Sequence, residues 1–143
     1  MTSALNVSRR LLTALLVALS AAAAIVAYYY LHEQSSTTGD ISVEQAIFLI
    51  ETKPNLVIVD VRTPEEYETG YIEGAINICV TCDAQKLLDN LKPENEILLY
   101  CRTGRRSATA AQILNENGYK AVYNMLGGIT AWINAGYTTV LPS

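Results

Sequence analysis

The sequence predicts an α/β domain built on a mainly parallel β-sheet and preceded by an N-terminal hydrophobic helix. Strand-like and helix-like segments alternate from residue 42 to the end, the pattern of βαβ units. The run Leu56-Val57-Ile58-Val59-Asp60-Val61 is continuously apolar and β-branched except for one aspartate. Such a run suits a strand covered on both faces. Turn and capping residues separate the segments, and there is no internal repeat. At 143 residues the chain is one domain plus, at most, an appendage.

The appendage comes first. A short tail, residues 1–10, ends in Arg9-Arg10. Residues 11–31 then carry no charge and are followed by His32-Glu33. As a helix this stretch would be about 30 Å long, enough to cross a hydrocarbon core. The flanking charges favour an inside N-terminus, and Tyr28-Tyr29-Tyr30 suit the membrane interface. The alternative is a secretory signal cleaved near residues 20–27, where Ser20, Ala22 and Ala24 offer small residues. Both readings export the domain: a membrane anchor leaves it on the extracytoplasmic side, and a cleaved signal makes it secreted or periplasmic. Residues 32–39 read as a polar linker and residues 40–143 as the domain.

Within the domain, Ser42 followed by Gln45 is a capping-box signal for a helix over residues 42–51. The β-branched run is the first strand. Thr63 then caps a short helix with Pro64 at its first position and Glu65 and Glu66 in its first turn. Gly70 and Gly74 bracket a turn before a short strand at residues 75–78. Asp83 starts a helix that ends near Leu91, and Pro93 breaks it. A strand over residues 97–101 follows, then a helix from Ser107 to Asn117 stopped by Gly118. Residues 121–124 form another strand. Gly127-Gly128 turns into a last helix around residues 129–134, with Trp132 expected in the core.

Composition narrows the function. From Leu31 onward there are fourteen acids against eight bases, a net of −6. An acidic domain is a poor nucleic-acid partner. Against that background Arg102, Arg105 and Arg106 form a local basic cluster around Cys101. The single histidine, His32, makes a histidine base or a histidine-rich metal site a poor explanation. A thiol delivered by a buried strand to a turn ahead of a helix sits where backbone N–H groups favour anions. Those groups and the arginines lower a thiol pKa. Cys101 is therefore read as a nucleophile in an anion-binding loop that also contains Thr103 and Gly104.

Four motifs, in order, resemble the rhodanese family of single-domain sulfurtransferases. They are Asp60-Val61-Arg62-Thr63-Pro64-Glu65-Glu66-Tyr67; Gly70-Tyr71-Ile72-Glu73-Gly74-Ala75; Cys101-Arg102-Thr103-Gly104-Arg105-Arg106; and Leu126-Gly127-Gly128-Ile129-Thr130-Ala131-Trp132. The resemblance implies a parallel five-stranded sheet with helices on both faces. It implies that Cys101 takes a sulfane sulfur from a thiosulfate-like donor, becomes a persulfide, and passes the sulfur to a thiol or cyanide acceptor, or to a protein acceptor, with no cofactor and no metal. It also implies that Arg102 and Arg105 hold an anionic donor at the rim and that Arg106 closes the loop with its guanidinium tied inward. Asp60 is expected to bind loop amides or Arg106, and Arg62 to form a structural ion pair with Glu73.

The chain departs from the family pattern at Tyr71, where histidine is common, and at Cys79, where proline is common. Cys79-Val80-Thr81-Cys82 reads as a structural disulfide, as a redox pair, or as an incidental pair; too few other ligands are present for zinc. Two other functions compete. One is a non-catalytic binding or redox-sensing module using Cys79 and Cys82. The other is a cysteine phosphatase or arsenate reductase, whose loop needs its arginine at the seventh position. Here Arg106 is the sixth and Ser107 the seventh, making a smaller bowl suited to one sulfur atom.

Overall fold

A computed structural model describes residues 17, 19–27 and 38–142. Among the described residues of the predicted 11–31 segment, 17 and 19–27 are α-helical (α1). No described helix is long and apolar enough to cross a membrane. The remainder of that segment, the tail at 1–10 and most of the predicted linker lie outside the described residues.

The domain is a five-stranded, wholly parallel sheet in the order β1-β5-β4-β2-β3. The strands are β1 (Gly39–Ile41), β2 (Val57–Asp60), β3 (Ile76–Asn77), β4 (Glu96–Tyr100) and β5 (Ala121–Met125). The helices are α2 (Val43–Thr52), α3 (Pro64–Glu68), α4 (Gln85–Asn90), α5 (Arg105–Glu116) and α6 (Gly128–Asn134). Side chains alternate across the strands and build a core on each face. Val59, Ile97, Leu99 and Val122 meet Leu87 of α4 and Ala110 and Leu114 of α5. On the other face Ile58, Leu98, Tyr100 and Met125 meet Val43 and Ala46 of α2 and Ile129 and Trp132 of α6. Trp132 is buried as expected, and its indole N–H donates to the Thr138 carbonyl at 2.9 Å.

Four of the five strands are those expected from the sequence, and β1 is an addition. Gly39-Asp40-Ile41 has no apolar run, and Gly39 falls inside the predicted linker. Its strand character comes from pairing with β5, in register Gly39 to Tyr123 through Ile41 to Met125. The two predicted caps are present. Ser42 accepts from the Gln45 N–H while the Gln45 side chain accepts from the Ser42 N–H. Thr63 and Glu66 do the same for α3.

Candidate active site

The site forms where the central strand β4 ends. Tyr100 is its last residue, so Cys101 stands at the carboxyl edge of the sheet, where ligands of open α/β sheets sit. The chain then turns through residues 102–104, and α5 begins at Arg105, two residues earlier than predicted. Gly104 makes that early start possible. Its φ of 94° is open to glycine, and it precedes the helix with no side-chain cap. Its N–H instead points at the Cys101 sulfur, 3.2 Å away.

Ser107 sits behind the thiol. Its hydroxyl lies 3.6 Å from Cys101 Sγ and 3.0 Å from the Gly104 carbonyl. Burial pushes the thiol pKa up, but the Ser107 hydroxyl and the N–H groups of Ser107, Thr103 and Gly104 outweigh it. The net position is below the ordinary cysteine value. A ring of donors around the sulfur favours its thiolate form. Cys101 floors a cavity of about 600 Å³ also lined by Glu66, Arg102, Thr103, Arg105, Arg106 and Thr130. Arg102 and Arg105 are exposed, which places two unburied cations at the rim.

Arg106 is tied down differently from the expectation. Its guanidinium donates to both carboxylate oxygens of Glu66, at 2.6 and 2.8 Å, and not to Asp60. Glu66 was visible in the sequence only as a helix-capping acid. Folding gives it a second use, because Glu66 Oε2 accepts both the Thr63 N–H and Arg106. The Arg106 hydrogen bonds hold the Glu66 carboxyl down at about 2, against 4.5 for the free side chain, despite opposition from burial. With the folded pKa below the unfolded one, the stabilisation is in place above pH 4.5 and is lost as pH falls toward 2. Glu66→Gln is expected to lose about 1–2 kcal/mol in urea unfolding at pH 7. At pH 2 the variant and the parent should converge.

Asp60 and Arg62 pair with each other. Arg62 Nε lies 3.0 and 2.9 Å from the two Asp60 oxygens, and Nη2 donates to Oδ2 at 2.6 Å and to the Gly70 carbonyl at 2.7 Å. The Arg62 partner is therefore Asp60 and not Glu73, and Asp60 accepts the Arg62 guanidinium together with one loop amide, the Arg62 N–H at 2.9 Å, and not Arg106. Both residues are buried. They brace the loop after β2, one strand away from Cys101.

The paired glycines are explained by close approach. α6 docks its first turn on the candidate loop: Ile129 N–H donates to the Cys101 carbonyl at 2.9 Å, and Thr130 N–H to that of Arg102 at 3.2 Å. Gly128 has φ +56°, and a Cβ there would sit 2.2 Å from the Cys101 carbonyl oxygen. Gly128→Ala is expected to destabilise the domain by about 1–3 kcal/mol and to lower activity by displacing the loop. Urea unfolding and a turnover assay on one preparation check both.

Cys79 and Cys82 form a disulfide, one of the readings left open by their spacing. It lines a different cavity, with Pro64, Ile76 and Lys86. The fold thus gathers Cys101, Arg102, Thr103, Gly104, Arg105 and Arg106 into one site. Asp60 and Arg62 stand behind it, and the cysteine pair stands apart. Glu66, Ser107 and Thr130 join the site without having been expected there, although Glu66 and Thr130 stand inside their motifs and Ser107 follows the loop arginine.

Set beside known proteins, residues 42–135 match the family model described as a Rhodanese-like domain. A sulfurtransferase from Allochromatium vinosum is 33% identical over 88 residues, covering 62% of this chain and 81% of that protein. The thiosulfate sulfurtransferase GlpE of Pseudoalteromonas translucida is 35% identical over 92 residues, covering 64% of this chain and 86% of that protein. The crystal structure of a rhodanese-related protein from Thermoplasma volcanium superposes with a TM-score of 0.62 at 32% identity, covering 72% of this chain and 98% of that one. Of two Bacillus subtilis relatives, 34% and 39% identical, the chain spans 52% and 59% of the length.

Proposed function

This chain belongs to the rhodanese-like domain family, and from that premise we propose that it is a sulfurtransferase carrying sulfane sulfur as a persulfide on Cys101. The observation that carries the reading is the Cys101 sulfur, held by the Gly104 N–H at 3.2 Å on the floor of an arginine-lined cavity. In the first half-reaction the Cys101 thiolate attacks the outer sulfur of a thiosulfate-like donor. The S–S bond of the donor breaks, sulfite leaves with the bonding pair, and the persulfide forms. In the second, a thiol or cyanide acceptor attacks the outer persulfide sulfur, and the Cys101 thiolate leaves. The N–H groups of Thr103, Gly104 and Ser107 serve the anionic sulfur in both halves. Arg102 and Arg105 attract the anionic donor, and Arg106, fixed by Glu66, keeps the loop wall in place. The same donors lower the Cys101 thiol pKa and so favour the attacking thiolate without a histidine base.

The export reading of residues 11–31 belongs with this proposal. Arg9-Arg10 followed by an uncharged stretch supports it, as does a disulfide pair in the same chain. Fractionation of expressing cells tests it: the domain in the soluble cytoplasmic fraction would sink it.

Incubating the full chain with thiosulfate is expected to add one sulfur atom to Cys101, read by intact and peptide mass. Sulfur on Cys79 or Cys82 instead would overturn the site. A chain that takes up no sulfur and shows no turnover would be a binding module. Aryl phosphate hydrolysis lost in Cys101→Ser would point to a phosphatase.

A further inference from the structure

We infer that the Cys79–Cys82 disulfide is a second reactive centre, a thiol–disulfide exchange site for a dithiol substrate, separate from the Cys101 cavity. Four observations carry this. The two sulfurs differ in access: Cys82 is exposed, whereas Cys79 is buried. An incoming thiolate therefore has one sulfur to attack, Cys82, and Cys79 becomes the leaving group. The leaving sulfur is already provided with donors. The Cys82 N–H points at Cys79 Sγ from 3.2 Å, and the Thr81 hydroxyl lies 3.5 Å from it. Within a disulfide the sulfur has no proton to give, so Thr81 is the donor in that contact. Both groups stabilise a thiolate more than a disulfide sulfur, which makes Cys79 the better leaving group and speeds exchange.

The third observation is the space beside it. The pair lines a cavity of about 660 Å³ whose walls include Pro64, Ile76 and Ile78 together with Lys86 and Asp89. Three apolar side chains, two asparagines (Asn77 and Asn90) and one charge of each sign differ from the arginine-rich cup over Cys101 and suit an uncharged dithiol better than a small anion. Fourth, the pair and Cys101 stand on the same edge of the sheet. Asp60 of β2 is in register with Asn77 of β3 and with Tyr100 of β4. Ile78 and Cys101 are thus equivalent positions on strands flanking β2, roughly 10 Å apart from the usual strand spacing. Each then opens into its own cavity.

The chemistry balances without another reactant. One substrate thiolate attacks Cys82 Sγ, forming a mixed disulfide as the Cys79–Cys82 bond breaks and Cys79 leaves as thiolate. The second substrate thiolate attacks its neighbour's sulfur in that mixed disulfide and releases the Cys82 thiolate. The substrate leaves as a disulfide, its two electrons reside on Cys79 and Cys82, and these thiolates take up the two protons that the dithiol released on ionising.

The test uses the oxidised full chain with dithiothreitol as the probe dithiol, quenched at intervals with iodoacetamide and mapped by peptide mass. The pair is expected to be reduced at least about tenfold faster than oxidised glutathione under the same conditions. Separately, Cys79→Ser and Cys82→Ser are each exposed to oxidised glutathione. The Cys82 adduct in Cys79→Ser should form at least about tenfold faster than the Cys79 adduct in Cys82→Ser. A wild-type rate no faster than that of oxidised glutathione, or faster modification of Cys79, overturns the proposal. Circular dichroism shows whether each variant is folded; if either is not, the wild-type rate decides. Because Cys101 takes no part, these outcomes are independent of its persulfide.

Discussion

Cys101→Ser is expected to lower thiosulfate:cyanide turnover by about 10³-fold or more and to abolish sulfur uptake at that position. The reason is chemical before it is geometric. A serine hydroxyl does not ionise near neutral pH and cannot form a persulfide, so both half-reactions lose their carrier. The ring of donors that lowers the thiol pKa remains: Gly104 and Thr103 N–H groups and the Ser107 hydroxyl are unaltered. The variant should therefore fold normally and unfold within about 0.5 kcal/mol of the parent in urea, since the substituted atom is nearly isosteric. Retained turnover in a variant free of parent contamination would show that Cys101 is not the carrier. A collapse in stability would instead leave loss of activity without a chemical meaning.

Asp60→Ala carries the largest expected stability effect. Asp60 is fully buried, and its carboxylate takes the Arg62 Nε, Nη2 and backbone N–H. Removing it strands the Arg62 guanidinium among core groups, with the Gly70 carbonyl at 2.7 Å as the acceptor left among the described residues. Breaking a buried pair by deleting one partner costs about 3–5 kcal/mol. The urea midpoint should fall accordingly, with little change in slope. Replacing both partners with apolar residues, Asp60→Leu with Arg62→Met, should recover much of the loss because no unpaired charge is left behind. A loss below about 1 kcal/mol for Asp60→Ala would mean that water reaches the guanidinium and that the pair is not a buried brace.

Most of the architecture was legible because it rests on local rules. The β-branched run at 57–60, the caps at Ser42 and Thr63, and the glycine stop at 118 each act over a few residues, and each produced the element expected. So did Cys101 at a strand-to-helix turn, since the order of apolar run, thiol, glycine and arginines is itself linear. Three features were not legible in this way. β1 is a strand only because β5 lies beside it. The ion-pair partners of Arg62 and Arg106 were not legible: the sequence offered Glu73 for Arg62 and Asp60 for Arg106, while the true choices, Asp60 and Glu66, depend on which carboxylate the fold brings near. Glu66 reaches Arg106 across 40 positions of sequence, a pairing that no local pattern encodes.

The sequence by itself determined where Cys101 stands, at a strand-to-helix turn, the length of its loop and the alternation of strands and helices. These follow from residue type and spacing along one strand of chain. Only the tertiary structure decided what holds the loop in place. Hydrogen bonds and ion pairs between distant segments depend on distances of about 3 Å, and those distances come into being only when α3, α5 and α6 pack around the carboxyl edge of the sheet. The same holds for the cysteine pair. Its spacing permitted several fates, and packing set one sulfur inside and the other at the surface.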